Sequence, residues 1–138
     1  MIGLVAGLVL AGCGQLPTEL SGAERDAVLA YAEPKADNLL AGLNSGDYAA
    51  FSRDFSDKMR SAMGEAGLDS TRDLLQSKLG NYVSRQVSRV EQQGEYVAVV
   101  YTARFENEDG VTVRIVFDDT AEHPISGLWF DSPKLREK

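Results

Sequence analysis

The spacing of apolar residues changes at Gly80, and this change constrains the fold more than any other feature of the chain. Before Gly80, apolar residues recur at three- and four-residue intervals, which is typical of helices with one buried face. After Gly80 they alternate, which is typical of strands with one buried face. This order predicts an α+β domain in which helices pack on one face of an antiparallel sheet of about four strands.

The first helical pattern, from about Ala23 to Leu43, contains a proline at position 34. Proline lacks the N–H that a helix interior needs, and its ring clashes with the preceding turn. We therefore expect either a kink near residues 30–34 or a helix that begins at Glu33 with Pro34 in its first turn.

A polar break after this helix leads into an aromatic segment. Gly46 suits the left-handed backbone that follows a helix end, and Asp47 is a good N-cap for the next segment. In that segment Tyr48, Phe51 and Phe55 fall at i, i+3 and i+7, so they share one face.

Two further helices are predicted before Gly80. Ser56 is placed to cap a short helix, and "GEAGLDS" after it has the composition of a loop. Ser70 and Asp73 then resemble a capping box with Asp in place of Glu, so we expect the last helix to begin there and to close at Gly80.

The alternating part divides at polar turns into strands at about 82–91, 96–106, 111–117 and 125–130, with a hairpin turn at "NEDG". Val87 and Val90 break the alternation of the first strand and predict a bulge. The second and third strands direct every second residue toward one core. These residues are Val97, Val99, Tyr101, Ala103, Phe105, Val111, Val113, Ile115 and Phe117.

The opposite, outer face of the sheet is neither clearly polar nor clearly apolar. In "ISGLWF", alternation places Leu128 and Phe130 inside and leaves Trp129 outside and partly exposed, with Ile125 on the side of Trp129. Such a mixed surface is typical of protein interfaces, although strand propensity alone can also produce it on a solvent-facing sheet. The candidate interface residues are Tyr96, Val100, Arg104, Arg114 and Trp129.

The first twelve residues are all Met, Ile, Leu, Val, Ala or Gly, and the single cysteine follows them at position 13. The run is shorter than the roughly 20 apolar residues of a membrane-spanning helix and is typical of a secretory signal peptide, although no Lys or Arg precedes it. Leu10, Ala11, Gly12 and Cys13 resemble the lipobox of prokaryotic lipoproteins. The alternative is a buried thiol at the end of a short helix.

The lipobox resemblance implies cleavage before Cys13 and a lipid on its thiol. The chain then divides into a signal peptide at 1–12, a lipidated cysteine and tether at 13–22, and one domain at 23–138. The domain is expected to lie on the extracytoplasmic face of the cell membrane, held there by the lipid.

Charge and composition exclude several kinds of partner. The net charge is −7 and no basic cluster is present, so nucleic acid is not an expected partner. No Cys/His ligand set exists, and the spacing of Asp118, Asp119, Glu122 and Asp131 matches no calcium loop. We therefore expect no metal and no other cofactor.

Two stretches, "LLAGLNSGDYAAFSRDF" and "ISGLWFDSPKLR", resemble a family of small prokaryotic lipoproteins of unknown function. That family is similar to the nuclear transport factor 2-like superfamily, with its cystatin-like fold, and the resemblance covers residues 23–135. It implies a cone in which helices cross a curved sheet and enclose a hollow. Because the superfamily includes enzymes, binding modules and dimerisation domains, the fold alone selects no function.

The hollow of such a cone can hold a small apolar ligand, or a general base in the enzymes of the superfamily. A base needs a carboxylate or imidazole that faces apolar walls and a polar partner. The candidate lining residues are Tyr48, Phe51, Phe55, Tyr101 and Phe105. The candidates for acid–base chemistry are Asp54, Asp57, Tyr101, Arg104 and His123, which form no convincing pair, and His123 is expected in a solvated loop.

The leading hypothesis is a lipid-anchored envelope protein with a non-catalytic domain that binds a protein partner or a small apolar molecule. The alternatives are an isomerase- or dehydratase-like enzyme with a carboxylate inside the cone, and a plain dimerisation module that uses the outer sheet face. A buried acid opposite a second polar group would favour the enzyme, whereas a hollow filled with apolar side chains would count against it.

Overall fold

Helices precede the long strands along the chain, as the change of spacing predicts. The computed structural model describes residues 16–137, so Cys13 and the predicted signal peptide lie outside the described residues. The elements in order are β1 (Thr18–Glu19), α1 (Gly22–Ser45), α2 (Tyr48–Phe51), α3 (Asp57–Ala62), α4 (Glu65–Lys78), β2 (Tyr82–Gln93), β3 (Tyr96–Phe105), β4 (Glu108–Asp118), β5 (Ile125–Asp131) and α5 (Pro133–Arg136).

The strands form one open antiparallel sheet in the order β1-β2-β3-β4-β5, which confirms the α+β class. The sheet has five strands in its described part, because β1 adds to the four that the alternation predicts. Thr18 pairs with Gln92 and Glu19 with Glu91 at the edge of β2. Part of the segment at 13–22, predicted as a tether, therefore belongs to the sheet.

Helix α1 continues through Pro34, so the prediction of a helix that begins at Glu33 is wrong. Pro34 cannot bond the carbonyl of Ala30, but both residues are exposed, so water can bond that carbonyl instead. The opposite side of α1 forms the buried stripe. Its apolar members are Val28, Ala32, Ala36, Leu39, Leu40 and Leu43.

The turn after α1 brings two helices into very close contact. Gly46 has φ 75°, as predicted for the residue after a helix end, and the Asp47 side chain caps α2. Gly42 lies so close to α2 that a Cβ there would be 2.4 Å from the backbone nitrogen of Phe51. The rings of Phe51 and Phe55 then meet edge-on, with centroids 5.2 Å apart. The predicted aromatic face is confirmed.

Helix α4 begins at Glu65, five residues before the predicted start at Ser70. Ser70 therefore lies inside the helix, and the predicted capping box is wrong. The earlier start brings Leu68 into the core, where 1% of its surface is exposed. Burial of an apolar side chain here outweighs local capping preference, since packing supplies most of a helix's stability in a folded protein.

The sheet has the predicted bulge and further register shifts that strict alternation does not predict. The register of β2 shifts between Val87 and Arg89, which confirms the predicted bulge. In β5, Ile125 pairs with Phe117 whereas Gly127 pairs with Val116, so Ser126 is an extra residue. Because a bulge reverses the side-chain alternation, Ile125 turns into the core, and its predicted position beside Trp129 is wrong.

The core lies between the helices and the inner face of the sheet. All nine residues predicted to point inward from the second and third strands are at most 2% exposed. The turn between β3 and β4 lies at residues 106–107, slightly earlier than the "NEDG" at which we expect it. None of the helices in the described part of the chain is long and apolar enough to cross a bilayer.

Candidate binding site on the outer sheet face

A cleft of about 520 Å³ opens on the outer face of the sheet, and we call it the outer-face cleft. Four strands, β2 to β5, and the start of α3 contribute side chains to it. Three of the five predicted interface residues, Tyr96, Arg114 and Trp129, lie in this cleft. Its full lining is Ser56, Lys58, Gln93, Tyr96, Arg114, Val116, Asp118, Ser126 and Trp129.

Trp129 forms one aromatic wall of the cleft and is 54% exposed, which confirms the predicted exposure. Its indole lies so close over Gly127 that a Cβ at this position would be 2.4 Å from Cζ3 of the ring and 3.4 Å from Val116. Gly127 thus leaves the space in which the indole rests on the sheet. An aromatic ring seated on backbone with one side open is well placed for stacking against a ligand.

Arg114 is the cross-strand neighbour of Trp129, and its guanidinium carbon lies 5.4 Å from the centre of the indole. This is the geometry of a cation–π contact. Among residues 16–137, no carboxylate lies within 4.0 Å of the guanidinium of Arg114 or the ammonium of Lys58. The cleft therefore offers two cations without an ion-pair partner in the described structure, with Asp118 as the acidic residue of its lining.

Tyr96 forms a second aromatic wall and is 51% exposed. It stands on β3, whereas Trp129 stands on β5, with β4 between the two strands. Two strand spacings separate the strand axes by about 10 Å. A flat group or an extended chain can therefore contact both rings while it approaches Arg114 on the central strand.

The other two predicted interface residues lie elsewhere. Val100 is only 3% exposed, because the long side chains of its cross-strand neighbours Arg89 and Arg114 flank it on the outer face. Arg104 is exposed near the opposite end of β3 and pairs with Asp109 at 3.3 Å. Neither residue lines the outer-face cleft.

The residues predicted to line a hollow form part of the packed core instead. Phe51, Phe55, Tyr101 and Phe105 are at most 5% exposed, and the half-buried Tyr48 donates a hydrogen bond from its hydroxyl to the carbonyl of Met63. None of them lines the outer-face cleft or the groove of about 360 Å³ described below. Apolar side chains thus fill the space between helices and sheet.

A polar cluster that the sequence did not reveal lies at the rim of this core. The Tyr101 hydroxyl donates to Glu33 Oε1 at 2.9 Å, and Arg85 donates to Glu33 at 3.0 Å, to Asp37 at 2.7 Å and to the Tyr82 hydroxyl at 3.0 Å. Burial raises the pKa of Tyr101, and the Glu33 carboxylate raises it further. Burial lowers the pKa of Arg85, but its hydrogen bonds raise that pKa by more. The cluster joins α1 to β2 and β3.

The candidates for acid–base chemistry are not brought together. Asp54 is half-buried, and its backbone carbonyl accepts a hydrogen bond from the N–H of Ile125. Asp57 is exposed and lies 3.7 Å from Arg60. His123, in the loop between β4 and β5, stacks on Tyr31, with ring centroids 3.7 Å apart.

The surroundings of His123 differ from the solvated loop that the sequence predicts. The residue is half-buried and has φ 47°, in the left-handed region. Lys35 donates hydrogen bonds to the carbonyls of Glu122 and His123 and so ties the loop to α1. Burial, helped by the nearby Asp119, raises the pKa of Tyr31 to about 12.

A tertiary contact places Lys58 in the outer-face cleft, and no pattern in the local sequence predicts this contact. The backbone N–H of Ser56 donates to the carbonyl of Ile125 at 2.9 Å, and the N–H of Ile125 donates to the carbonyl of Asp54 at 2.7 Å. These bonds hold the start of α3 against the first residue of β5. The local sequence indicates only that Ser56 caps a helix, which it does.

No group of three or more His, Cys, Asp or Glu residues within 16–137 is arranged to hold a metal ion. No curated protein and no solved structure matches the chain significantly. One family profile does match, over residues 36–127, about two thirds of the chain. The match includes Lys58, Tyr96 and Arg114 and ends at Gly127, two residues before Trp129. The chain thus belongs to the family described as "Protein of unknown function (DUF3887)".

Proposed function

We propose that this is a lipid-anchored envelope protein whose domain binds a partner through the outer-face cleft without catalysing a reaction. The observation that carries the binding role is the composition of the cleft. Two aromatic side chains, Tyr96 and Trp129, are about half exposed beside Arg114, which has no acidic partner among the described residues. Aromatic residues and arginine are the types most enriched at binding hot spots.

The position of the proposed anchor is compatible with this role. Cys13 and Thr18 are five residues apart, a distance of at most about 17 Å along an extended chain. Thr18 lies in β1 at one edge of the sheet, whereas Trp129 lies in β5 at the other edge. Four strand spacings separate these edges by about 19 Å. A lipid on Cys13 therefore leaves the cleft accessible beyond the membrane surface.

The non-catalytic part of the proposal rests on the packed core. A cone of the nuclear transport factor 2-like kind would place its reactive group inside a hollow, but apolar side chains fill this space. Glu33, whose carboxylate lies at the rim of this space, already accepts hydrogen bonds from Tyr101 and Arg85. A base held in this way is poorly placed to take a proton from a ligand.

The anchor is tested by the substitution Cys13→Ser in cells that process lipoproteins. We expect the native chain to partition into the detergent phase and the variant to appear as an uncleaved or soluble protein, because a serine hydroxyl replaces the thiol to which the lipid would attach. If the processed variant still partitions with detergent, the lipid is not on Cys13.

The cleft is tested by site-specific photo-cross-linking in intact cells. A photoreactive residue replaces Lys58 in the cleft or, as a matched control, Val83, which is 52% exposed on β2. We expect a defined adduct from position 58 that disappears in an Arg114→Glu background, and no such adduct from position 83. Equal adducts from both positions would contradict the proposal, and an adduct between two copies of the chain would favour dimerisation.

A further inference from the structure

We infer that the free edge of β5 binds an extended peptide segment of a partner, which adds to the sheet as a sixth strand. This inference rests on the proposed binding function and specifies the partner's chemistry. In strand addition, main-chain hydrogen bonds to an open edge give affinity and pockets for alternate side chains give specificity, so an open edge with a cavity on each side is well suited to it.

The edge is open over most of β5. At its first residue, Ile125, the backbone N–H and carbonyl bond to the segment before α3. From Ser126 to Asp131, the backbone hydrogen bonds found within residues 16–137 run only to β4. Because alternate residues of an edge strand direct their N–H and carbonyl groups away from the sheet, about half of these groups face outward.

A cavity lies on each side of this edge. The outer-face cleft lies on one side, and a groove of about 360 Å³, which we call the inner groove, lies on the other. Trp129 borders both cavities, so they meet at the strand. The inner groove is lined by Met63, Thr71, Leu74, Leu75, Leu128, Trp129, Phe130, Asp131, Leu135 and Arg136.

The two cavities match the side-chain pattern of an added strand. Successive side chains of a strand point to opposite faces of its sheet. On the inner side they would meet Leu74, which is 49% exposed, together with Leu128 and Leu135. On the outer side they would meet Arg114 and Lys58. The expected partner segment therefore alternates apolar residues with residues that carry carboxylates.

Charge favours a separate partner over a second copy of this chain. Each copy carries a net charge of −7, so two copies repel each other. The acidic residue of β5, Asp131, already forms a bidentate pair with Arg136, at 2.7 and 2.9 Å. The β5 strand of a second copy would therefore bring no free carboxylate to Arg114 or Lys58.

The opposite edge of the sheet shows what a protected edge looks like in this protein. There β1 covers the end of β2, and β2 carries Arg89 and Glu91 beside it. Charged side chains and short covering strands are common ways to prevent unwanted strand pairing. The segment "LWF" in β5 carries no such protection, although it is the more apolar edge.

The test uses the purified full chain in detergent and synthetic peptides of about eight residues, a common strand length. One series alternates Val with Glu, and a matched series alternates Val with Lys. Trp129 is the only tryptophan, so its fluorescence reports occupancy of the site. We expect the Glu series to bind at least about tenfold more tightly than the Lys series and to slow amide hydrogen exchange in β5.

Backbone methylation separates strand addition from simple charge attraction. Methyl groups are placed on the amides of either the Glu or the Val positions, because alternate amides point to opposite edges of a strand. We expect one methylated peptide to lose binding and the other to retain it. Leu74→Glu and Arg114→Glu should each weaken binding about tenfold or more, whereas Val83→Glu should leave it unchanged.

Three outcomes would overturn the inference. If both methylated peptides bind while Arg114→Glu abolishes binding, the cleft is a binding site but β5 does not pair with the ligand. If no peptide binds while the photoreactive residue at position 58 still forms its adduct in cells, the binding function stands and the partner is not a strand. If concentrating the protein alone protects the β5 amides, the occupant of the edge is a second copy.

Discussion

The inner and outer faces of the sheet are built from the same strands but differ in what covers them. On β3, Val99 and Tyr101 face inward and have no exposed surface, whereas Tyr96 faces outward and is 51% exposed. The outer face is not uniformly open, since Ala98 and Val100 are each 3% exposed. The half-exposed aromatic side chains Tyr96 and Trp129 thus lie in the outer-face cleft, so the packed core and the proposed binding surface are on opposite faces of the sheet.

The largest expected effect is on the inner face. Phe105→Ala should lower the free energy of unfolding by about 3–5 kcal/mol, because it leaves a cavity between Tyr82 and Phe130. Trp129→Ala on the outer face should cost about 1 kcal/mol, since the indole is half exposed. Urea denaturation of both variants measures this difference. Equal losses would remove the distinction between the two faces.

The next effect concerns the polar cluster at the rim of the inner face. Tyr101→Phe removes the hydroxyl that donates to Glu33 but keeps the ring in the core. We expect a loss of about 1–2 kcal/mol, the range for a hydrogen bond to a charged acceptor that is itself partly solvated. Urea denaturation beside Phe105→Ala gives the comparison. A loss as large as that of Phe105→Ala would show that the hydrogen bond, rather than burial, dominates this face.

A smaller effect on stability, with a clear spectroscopic consequence, is expected at Gly127. A Cβ there would overlap the indole of Trp129, so Gly127→Ala should displace the ring from the sheet. The stability change should stay below about 1 kcal/mol, because the displaced group is a side chain rather than backbone. Acrylamide should quench the fluorescence of the variant more strongly than that of the native protein. Unchanged quenching would place the indole elsewhere on the outer face.

The smallest expected effect is a change of stability with pH, caused by the ionisation of the Tyr31 phenol. Tyr31 packs edge-on against Phe117 of the inner face, and its pKa is raised from 10.0 to about 12. Because the folded state favours the neutral phenol, the associated stability is complete below pH 10 and is lost as the pH rises toward 12. Phenolate absorbance should show that Tyr31→Phe removes an ionisation step near pH 12. Removal of a step near pH 10 would contradict the burial of this phenol.

The sequence predicts the inner face well, because its residues follow one local rule. Alternation along β3 and β4 identifies nine residues, all of which are buried in the core. Alternation along β5 places Trp129 outside. The same rule fails at Ile125, where the bulge at Ser126 reverses the side-chain direction. This bulge depends on how β5 meets β4 and the segment before α3, so the residues of β5 carry no local signal of it.

The candidate site is less predictable because its members meet only in the tertiary structure. Tyr96, Arg114 and Trp129 were recognisable as outward-facing residues of unusual type. The inclusion of Lys58 depends on backbone bonds between the segment before α3 and β5, and the burial of Val100 depends on long side chains from neighbouring strands. Neither contact leaves a pattern in the order of residues.

The pairing of Phe55 with Ile125 has a consequence for how the domain assembles. This parallel bridge joins the helical segment to the last strand, whereas β2, β3, β4 and β5 pair as neighbours along the chain. Contacts between residues that are distant in sequence are slow to form, since their loop-closure entropy must be met first. The hairpins of β2 to β5 can therefore assemble early, and we expect the bridge between Phe55 and Ile125 to form later. Local opening of this bridge would separate α3 and Lys58 from β5, so the outer-face cleft can change shape without any loss of strand pairing in the sheet.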